Sequence, residues 1–507
     1  MMNDSFPDIE IIFRCDDYFI LRRDLRVYLF IPELSLLSEL NVSKCISGSD
    51  DSVVVKSEFR AILTRIMEEI ELDGGHSSVL AAKGNESGRF SAINLNLTDK
   101  CNLACVYCYA KGGDYRRIAN SMSASTVISA LSAARDSIDR TQPFRFEFFG
   151  GEPLLNEEAI RDILLWQQGE GRKILPERVI NRVSTNLTHL TDSMLELLKR
   201  GSFILSVSID GDRETQNLQR PFRNGEGSFE TIMGNIVRIR EAWPEAVIVA
   251  RMTAHNRGNR LLEDLDSLIA TGLFDYSSIY PAAVDDNGRG NIVVSSEFQC
   301  QYLEMAEQYG ELISSRSLSK DHCQRRFEGR YKGCLELNRY ICHILEGSCA
   351  INHCRAGIGY CTLSPDGTVH PCHRLIGSEE FRVAKGLSGL DEVDSSWRAN
   401  VLDRDECSVC SARYLCGGGC RQENLIATGD LLGVSARNCS FANLLMISAI
   451  AALDSIKLVS NGDICNVTEM LCSSLDDLFV LCGQPKAGNH CDTLRKKVCG
   501  MAAEFMI

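Results

Sequence analysis

The sequence predicts an α/β fold: a partial (β/α)6 barrel, with a small N-terminal α+β region before it and a cysteine-rich extension after it. Three observations lead there. Strand-like and helix-like segments alternate from Phe90 to about Ser315, the pattern of right-handed parallel crossovers. Glycine-rich and polar motifs stand where those strands end, which is where ligands gather in such sheets. From Cys349 onward, turn residues and cysteines replace the alternation.

Each element can be taken in order. Ser91 to Leu97 alternates apolar and polar residues as a strand and runs into a cysteine loop. Ser121 to Ser137 reads as a helix and Phe144 to Phe149 as an aromatic-rich strand. Glu157 to Trp166 is helical, Val179 to Ser184 extended and Asp192 to Lys199 helical. Phe203 to Ile209 is a strand, followed by a helix from Ser228 to Trp243 with apolar residues at helical spacing. Val247 to Met252 and Ser278 to Tyr280 give two more strands, with a helix from Leu261 to Leu268 between them. Residues 1–88 stand apart, with Ile9–Phe13, Tyr18–Arg22 and Val27–Ile31 as a meander and Glu58 to Ile70 as a helix. The domains expected are therefore residues 1–88, a barrel over 89–315, a bridging segment over 316–350, a cysteine-rich domain over 351–449 and a cysteine-containing tail over 450–507.

Composition bounds the function. With 507 residues, a prior of about 150 per domain suggests about three domains. A formal charge of −14 argues against a general nucleic-acid or anionic-membrane binder, because phosphate contacts need Lys and Arg. No apolar run of about 18 or more residues suggests a membrane span, and the N-terminus lacks the basic start and apolar stretch of a signal peptide. The 23 cysteines then read as metal ligands and reduced thiols rather than disulfides, consistent with a reducing cytoplasm.

Cys101, Cys105 and Cys108 are separated by three and then two residues, with Tyr107 just before the last thiol. A 4Fe-4S cluster is normally held by four thiolates, one per iron. Packed thiols or zinc ligation would also accommodate three cysteines. The spacing resembles the radical S-adenosylmethionine (SAM) enzymes, and the resemblance implies an open fourth iron that chelates the amino and carboxylate groups of SAM. Gly150-Gly151-Glu152-Pro153 ends the second strand, and two glycines let the main chain approach a ligand without a Cβ clash. In the family this motif binds the SAM ammonium. Ser184 closes the third strand and Ser208 the fourth, and their hydroxyls suit a ribose diol, with Asp210 in support. The segment from Asp210 to Arg220 resembles the family stretch whose Arg binds the SAM carboxylate, a match for a bidentate guanidinium. Here Gln216-Asn217 stand where His-Asp is usual, but Arg220 is kept.

A second cysteine system follows. Twelve residues separate Cys354 from Gly367 and four more precede Cys372; Cys407, Cys410, Cys416 and Cys420 follow with gaps of two, five and three, and Cys439 stands alone. A zinc ribbon also uses paired cysteines. The order, with Pro365-Asp-Gly-Thr-Val-His-Pro-Cys372 and Cys416-Gly-Gly-Gly-Cys420, resembles the SPASM extension of radical SAM enzymes. The resemblance implies two auxiliary 4Fe-4S clusters, the first on Cys354, Cys372 and Cys420 and the second on Cys407, Cys410, Cys416 and Cys439. Cys361 is expected as the fourth ligand of the first. His373 follows Cys372 where the sulfatase-maturing branch has an acidic base, and His-Arg there resembles the thioether-forming maturases. An imidazole suits proton transfer near neutrality, which makes His373 the candidate catalytic residue. The remaining 12 cysteines read as free thiols by default.

The resemblance spans about residues 90–445. It implies an enzyme that cleaves SAM to a 5′-deoxyadenosyl radical and abstracts hydrogen from a ribosomally made precursor peptide, forming a thioether or carbon-carbon crosslink. Reduced flavodoxin or ferredoxin would donate the electron. The alternatives are a maturase that makes formylglycine in a sulfatase and a zinc-binding cysteine-rich scaffold.

Overall fold

The protein's computed structural model describes residues 10–14, 19–23, 26–31, 36–39, 46–47, 54–72, 89–113, 120–255, 260–282, 295–318, 330–346 and 349–456. Strands β1 (Glu10–Arg14), β2 (Phe19–Arg23), β3 (Arg26–Ile31) and β4 (Leu36–Glu39) form an antiparallel meander in chain order, with helix α1 (Ser57–Leu72) after it. The expected meander therefore gains a fourth strand. Phe30 of β3 is buried in the main core.

Strands β5 (Ala92–Asn96), β6 (Phe144–Phe149), β7 (Val179–Thr185), β8 (Ile204–Ser208), β9 (Ile248–Ala254) and β10 (Tyr276–Pro281) are parallel neighbours in chain order. Helices α2 (Ala124–Ala133), α3 (Glu157–Gln168), α4 (Asp192–Arg200), a short α5 (Arg213–Gln219), α6 (Phe229–Ala242) and α7 (Leu261–Ile269) form the crossovers. Side-chain caps set several helix starts: Ser123, Asn156, Thr191 and Asp212 each accept from a backbone N–H of the first turn. Asn156 also donates to the carbonyls of Leu97 and Met122, both at 2.9 Å, tying α3 to the end of β5.

Parallel strands buried on both faces usually read as continuous apolar runs. These alternate. Phe144, Phe146 and Phe148 of β6 are fully buried under the helices, each contributing about 1.5–3 kcal/mol, while Arg145 and Glu147 point the other way. The same alternation puts Asn94, Arg182, Ser184, Ser206, Ser208, Arg251 and Ser278 on that second face through the strand register. The barrel lumen is polar.

Two further strands extend this sheet: β11 (Tyr360–Leu363) pairs parallel with β5, and β12 (Val369–His370) pairs antiparallel with β11. The cysteine-rich segment thus adds directly to the barrel sheet rather than standing off as a separate lobe. Helix α8 (Ser296–Leu318) follows the barrel, and α9 (Leu335–Glu346) lies in the expected bridging segment. Glu336 of α9 accepts from the Ser278 hydroxyl at 2.8 Å and the Ile279 N–H at 2.9 Å, which docks α9 against β10. Later come α10 (Arg421–Thr428) and α11 (Ala436–Ser455).

Helix α11 corrects one expectation. Its 20 residues are apolar and long enough for a membrane span, although the sequence suggested no such run. It packs along α8 and α9, and 61% of its apolar stretch is buried there, so interior packing accounts for its composition. It also runs past position 450, where the tail was expected to begin. Cys15, Cys45, Cys323 and the tail thiols Cys465, Cys472, Cys482, Cys491 and Cys499 lie outside the described residues.

Candidate functional site

The loop after β5 is clamped on two sides by main-chain hydrogen bonds. Gly151 N–H donates to the Thr98 carbonyl at 2.7 Å and Glu152 N–H to the Lys100 carbonyl at 2.8 Å. Opposite, Ala104 N–H reaches the Pro221 carbonyl at 2.8 Å and Val106 N–H that of Gln219 at 3.0 Å. Glycine is required at the first contact: a Cβ on Gly151 would sit 2.2 Å from the Lys100 carbonyl oxygen, and Gly150 has φ +136°. The two glycines therefore seat the thiol loop itself.

Cys101, Cys105 and Cys108 are all partly exposed on this loop. Burial raises the Cys101 thiol to about 12, helped by the charge of Glu152 and by the other two thiols. Cys105 is raised to about 11 by burial, against the pull of Arg220. Three thiols that repel one another's charge suit a cationic centre that draws off their protons. No three His, Cys, Asp or Glu side chains among the described residues converge on a single-ion site; a cluster, which takes each thiolate on a different iron, does not ask them to.

Around the loop, Glu152 is buried. Its carboxylate accepts from the Thr185 hydroxyl at 2.6 Å, the Asn186 N–H at 2.7 Å and the Leu154 N–H at 3.1 Å, and burial raises it to about 7. Pro153 starts the tight turn that follows. The Asn186 amide donates to Cys101 Sγ at 3.8 Å.

Arg220 departs from expectation. Instead of an open fork for the SAM carboxylate, it makes two bonds to Asp210, Nε to Oδ2 at 3.0 Å and an Nη to Oδ1 at 2.9 Å, in a pair whose side chains are 9% and 1% exposed. Asp210 also accepts from the Tyr107 hydroxyl and from Thr253 N–H at 2.8 Å. The physical reason is that a buried carboxylate needs a cation, and Arg220 is the one beside it. The Arg220 guanidinium lies 5.2 Å from the Tyr107 ring centre. Gln216 and Asn217, standing where His-Asp is usual, brace this unit: the Gln216 side-chain Oε1 accepts from Asp210 N–H at 2.9 Å, and the Asn217 side-chain Oδ1 accepts from Phe229 N–H at 3.0 Å. Ser184 donates to Glu147 at 2.8 Å, and Ser208 is partly exposed at the carboxyl end of β8.

The structure separates the later cysteines into two groups. Cys372 is raised to about 12 by burial and by Cys420 and Cys354 beside it. Cys407, Cys410, Cys416 and Cys439 line one cavity. Burial and the neighbouring thiols raise Cys416 to about 11 and Cys439 to about 12. Gly417, Gly418 and Gly419 carry φ of +66°, +86° and +72°, a left-handed run that turns the chain between the two groups.

Cys361 was the expected fourth ligand of the first auxiliary cluster. It sits on β11 with its side chain fully buried in the main apolar core, and burial alone raises its thiol. Strand alternation sends the neighbouring Tyr360 to the opposite face, toward Cys354 and Cys372. His373 was the candidate catalytic residue. Its Nδ1 lies 3.1 Å from the Tyr360 hydroxyl and its ring 4.9 Å from that of Phe149. Burial, with Arg374 and Arg251 nearby, draws its pKa down to about 3.

Residues 95–268 match the Radical SAM superfamily. That segment is a radical SAM domain. Its cofactors are SAM and 4Fe-4S iron-sulfur chemistry, which the loop thiols and the surrounding cradle fit. The chain is 25% identical over 372 residues to a serine-type anaerobic sulfatase-maturating enzyme of Klebsiella aerogenes, covering 67% of this chain and 82% of that protein. It is 23% identical over 351 residues to a cysteine-type anaerobic sulfatase-maturating enzyme of Clostridium perfringens, covering 64% and 86%. Among solved structures, anSMEcpe with bound AdoMet aligns with a TM-score of 0.58 at 19% identity, over 75% of this chain and 98% of that one, a likeness of fold.

Several residues near the radical SAM loop carried no signal in the sequence. Tyr109, just past the loop, has its ring 6.3 Å from that of His373, and the Arg374 guanidinium lies 5.6 Å from the Tyr109 ring centre. These contacts bring the first cysteine loop and the Cys372 turn together across the lumen mouth. His255 stands 5.4 Å from the Tyr107 ring. No spacing rule links such residues, because β11 meets β5 from more than 260 positions away.

Proposed function

We propose that this chain is a SPASM-type radical SAM enzyme that abstracts hydrogen from a peptide. The observation that carries the reading is the facing pair of thiol groups. Cys101, Cys105 and Cys108 stand at the carboxyl ends of the strands, and Cys354, Cys372 and Cys420 stand across the lumen mouth, with Tyr109, Arg374 and His373 between them. Cys101, Cys105 and Cys108 would each hold one iron of the SAM-binding cluster, Cys354, Cys372 and Cys420 a first auxiliary cluster, and Cys407, Cys410, Cys416 and Cys439 a second. When bound, the cluster and SAM supply a 5′-deoxyadenosyl radical that takes a hydrogen atom from an unactivated carbon. The chain's own part is to hold and seclude. Glu152 would bind the SAM ammonium and Ser208 the ribose, and the Asp210–Arg220 pair fixes Tyr107 and the Cys105 side of the loop. Exclusion of water from the lumen would protect the radical.

A crosslinked peptide, by a thioether or a carbon-carbon bond, is the product favoured by His373 in place of an acid. Formylglycine formation is the second reading, favoured by the sulfatase-maturating relatives. Anaerobically reconstituted protein should be brown, carry about twelve irons per chain and release 5′-deoxyadenosine under strong reductant. Colourless protein that holds zinc and leaves SAM intact would overturn the reading. Mass spectrometry of a modified Cys peptide separates the two products: hydrogen is lost and sulfur kept in a crosslink, whereas sulfur leaves and an aldehyde appears in formylglycine.

A further inference from the structure

Arg251 is a cation on the barrel wall. It lies on β9, in register with Ser208 of β8 and Ser278 of β10, on the lumen face. Its guanidinium makes no hydrogen bond or ion pair with any described residue. The groups within electrostatic range that favour its charge are Tyr280, Glu147 and Glu336, and both carboxylates are committed elsewhere. Glu147 accepts from Ser184 at 2.8 Å and pairs with Arg182 at 3.7 Å. Both oxygens of Glu336 are taken by Ser278 and Ile279. A second cation within electrostatic range, Arg182, has its side chain 6% exposed; its Nε makes no hydrogen bond and an Nη donates to the Ser206 hydroxyl at 3.3 Å. Burial and Arg182 both press against the charge on Arg251. A guanidinium without a hydrogen bond or ion pair, near a second cation in a low-dielectric chamber, is costly unless an anion arrives. Arg220, the other cation near the loop, is closed off by Asp210, so Arg251 is the fork left open.

We propose that Arg251, backed by Arg182, binds a carboxylate of the molecule held in the lumen, and that this carboxylate belongs to the substrate peptide, as an acidic side chain beside the modified residue. The proposal rests on the lumen being the substrate chamber of the reading above. The position favours the substrate: Arg251 lies on the lumen wall in register with Ser208 and Ser278, whereas Arg220, paired with Asp210, stands 5.2 Å from the Tyr107 ring of the cysteine loop. A guanidinium offers two parallel donors to a carboxylate and none that an amide can match as well. The enzyme would therefore discriminate Asp from Asn at one flanking position. The same chemistry could be offered by the methionyl carboxylate of SAM, and the test separates the two.

The experiment uses the full-length, anaerobically reconstituted protein. Synthetic peptides with a central cysteine, in matched pairs carrying Asp or Asn at successive flanking positions, are titrated by fluorescence anisotropy. SAM and decarboxylated SAM are titrated in parallel. Wild-type protein is expected to favour one Asp peptide over its Asn partner by roughly tenfold or more. Arg251→Met should remove that preference and Arg251→Lys restore part of it. If Arg251→Met instead weakens SAM by about tenfold but not decarboxylated SAM, the carboxylate site stands and SAM is its source. If Arg251→Met alters neither the peptide preference nor SAM affinity, the proposal is overturned. Iron content and circular dichroism of both variants show that they are folded. Production of 5′-deoxyadenosine by wild-type protein without peptide separates failure here from failure of the radical SAM reading itself.

Discussion

Asp210 gathers Tyr107, Arg220 and Thr253 around one buried carboxylate. Removing one partner of such a pair leaves the other charged and unsolvated, a cost of about 3–5 kcal/mol. Arg220→Met should accordingly lower the thermal unfolding midpoint markedly, and adding Asp210→Asn should recover part of the loss. A double variant no more stable than Arg220→Met would show that the pair is not coupled. At Cys105, substitution by Ala should abolish 5′-deoxyadenosine formation under strong reductant while iron at the other thiol groups stays bound. Continued formation would remove Cys105 from the ligand set. Arg220 was legible as a residue but not in its engagement, since one sequence cannot say which carboxylate a guanidinium meets first.

Among the elements, the strand ends and the cysteine loop act together through main-chain contacts. A methyl group on Gly151 meets the Lys100 carbonyl at 2.2 Å, so Gly151→Ala must displace the loop. Its expected outcome is a loss of about four irons out of twelve, with the later thiols still loaded; a full complement of iron would show that the loop yields without harm. Helices α8 and α11 meet just as closely at Gly310, where an added Cβ would lie 2.2 Å from the Ala452 carbonyl oxygen. Gly310→Val is expected to destabilise by about 1–3 kcal/mol through overpacking, read as a lowered denaturation midpoint. Most barrel elements were legible because each carries its own periodicity. The strand β11 was not, since four residues between turns say nothing about which sheet edge they join.

Across the whole molecule, apolar burial is unevenly shared. One core runs beneath the barrel helices and takes in α8, α9 and α11. The cysteine-rich segment has only small cores of its own, one of Ala356, Leu375, Trp397 and Leu431 and another of Val401, Cys407 and Tyr414. Those small cores surround the later thiol groups, so the proposed auxiliary clusters would carry part of that segment's folding. Stripping iron with a chelator should therefore expose residues 351–435 to protease before the barrel is cut, as peptide mapping by mass spectrometry would reveal. Simultaneous cleavage throughout would place the stability of that segment elsewhere.

The order of strands and helices, the thiol spacings and the glycine turn were all present in the chain itself, because periodicity and short-range spacing are local properties. The resemblance to the SPASM extension also implied the interleaving of Cys420 and Cys439 into different groups. What only the tertiary structure decided were partners at long range. Cys361 turns into the core because strand alternation on β11 sends it away from its neighbours, Arg220 closes on Asp210, and Arg251 is left facing the lumen without a counter-charge. Such outcomes depend on which surfaces meet when the sheet curls, and burial then sets which charges can be paired.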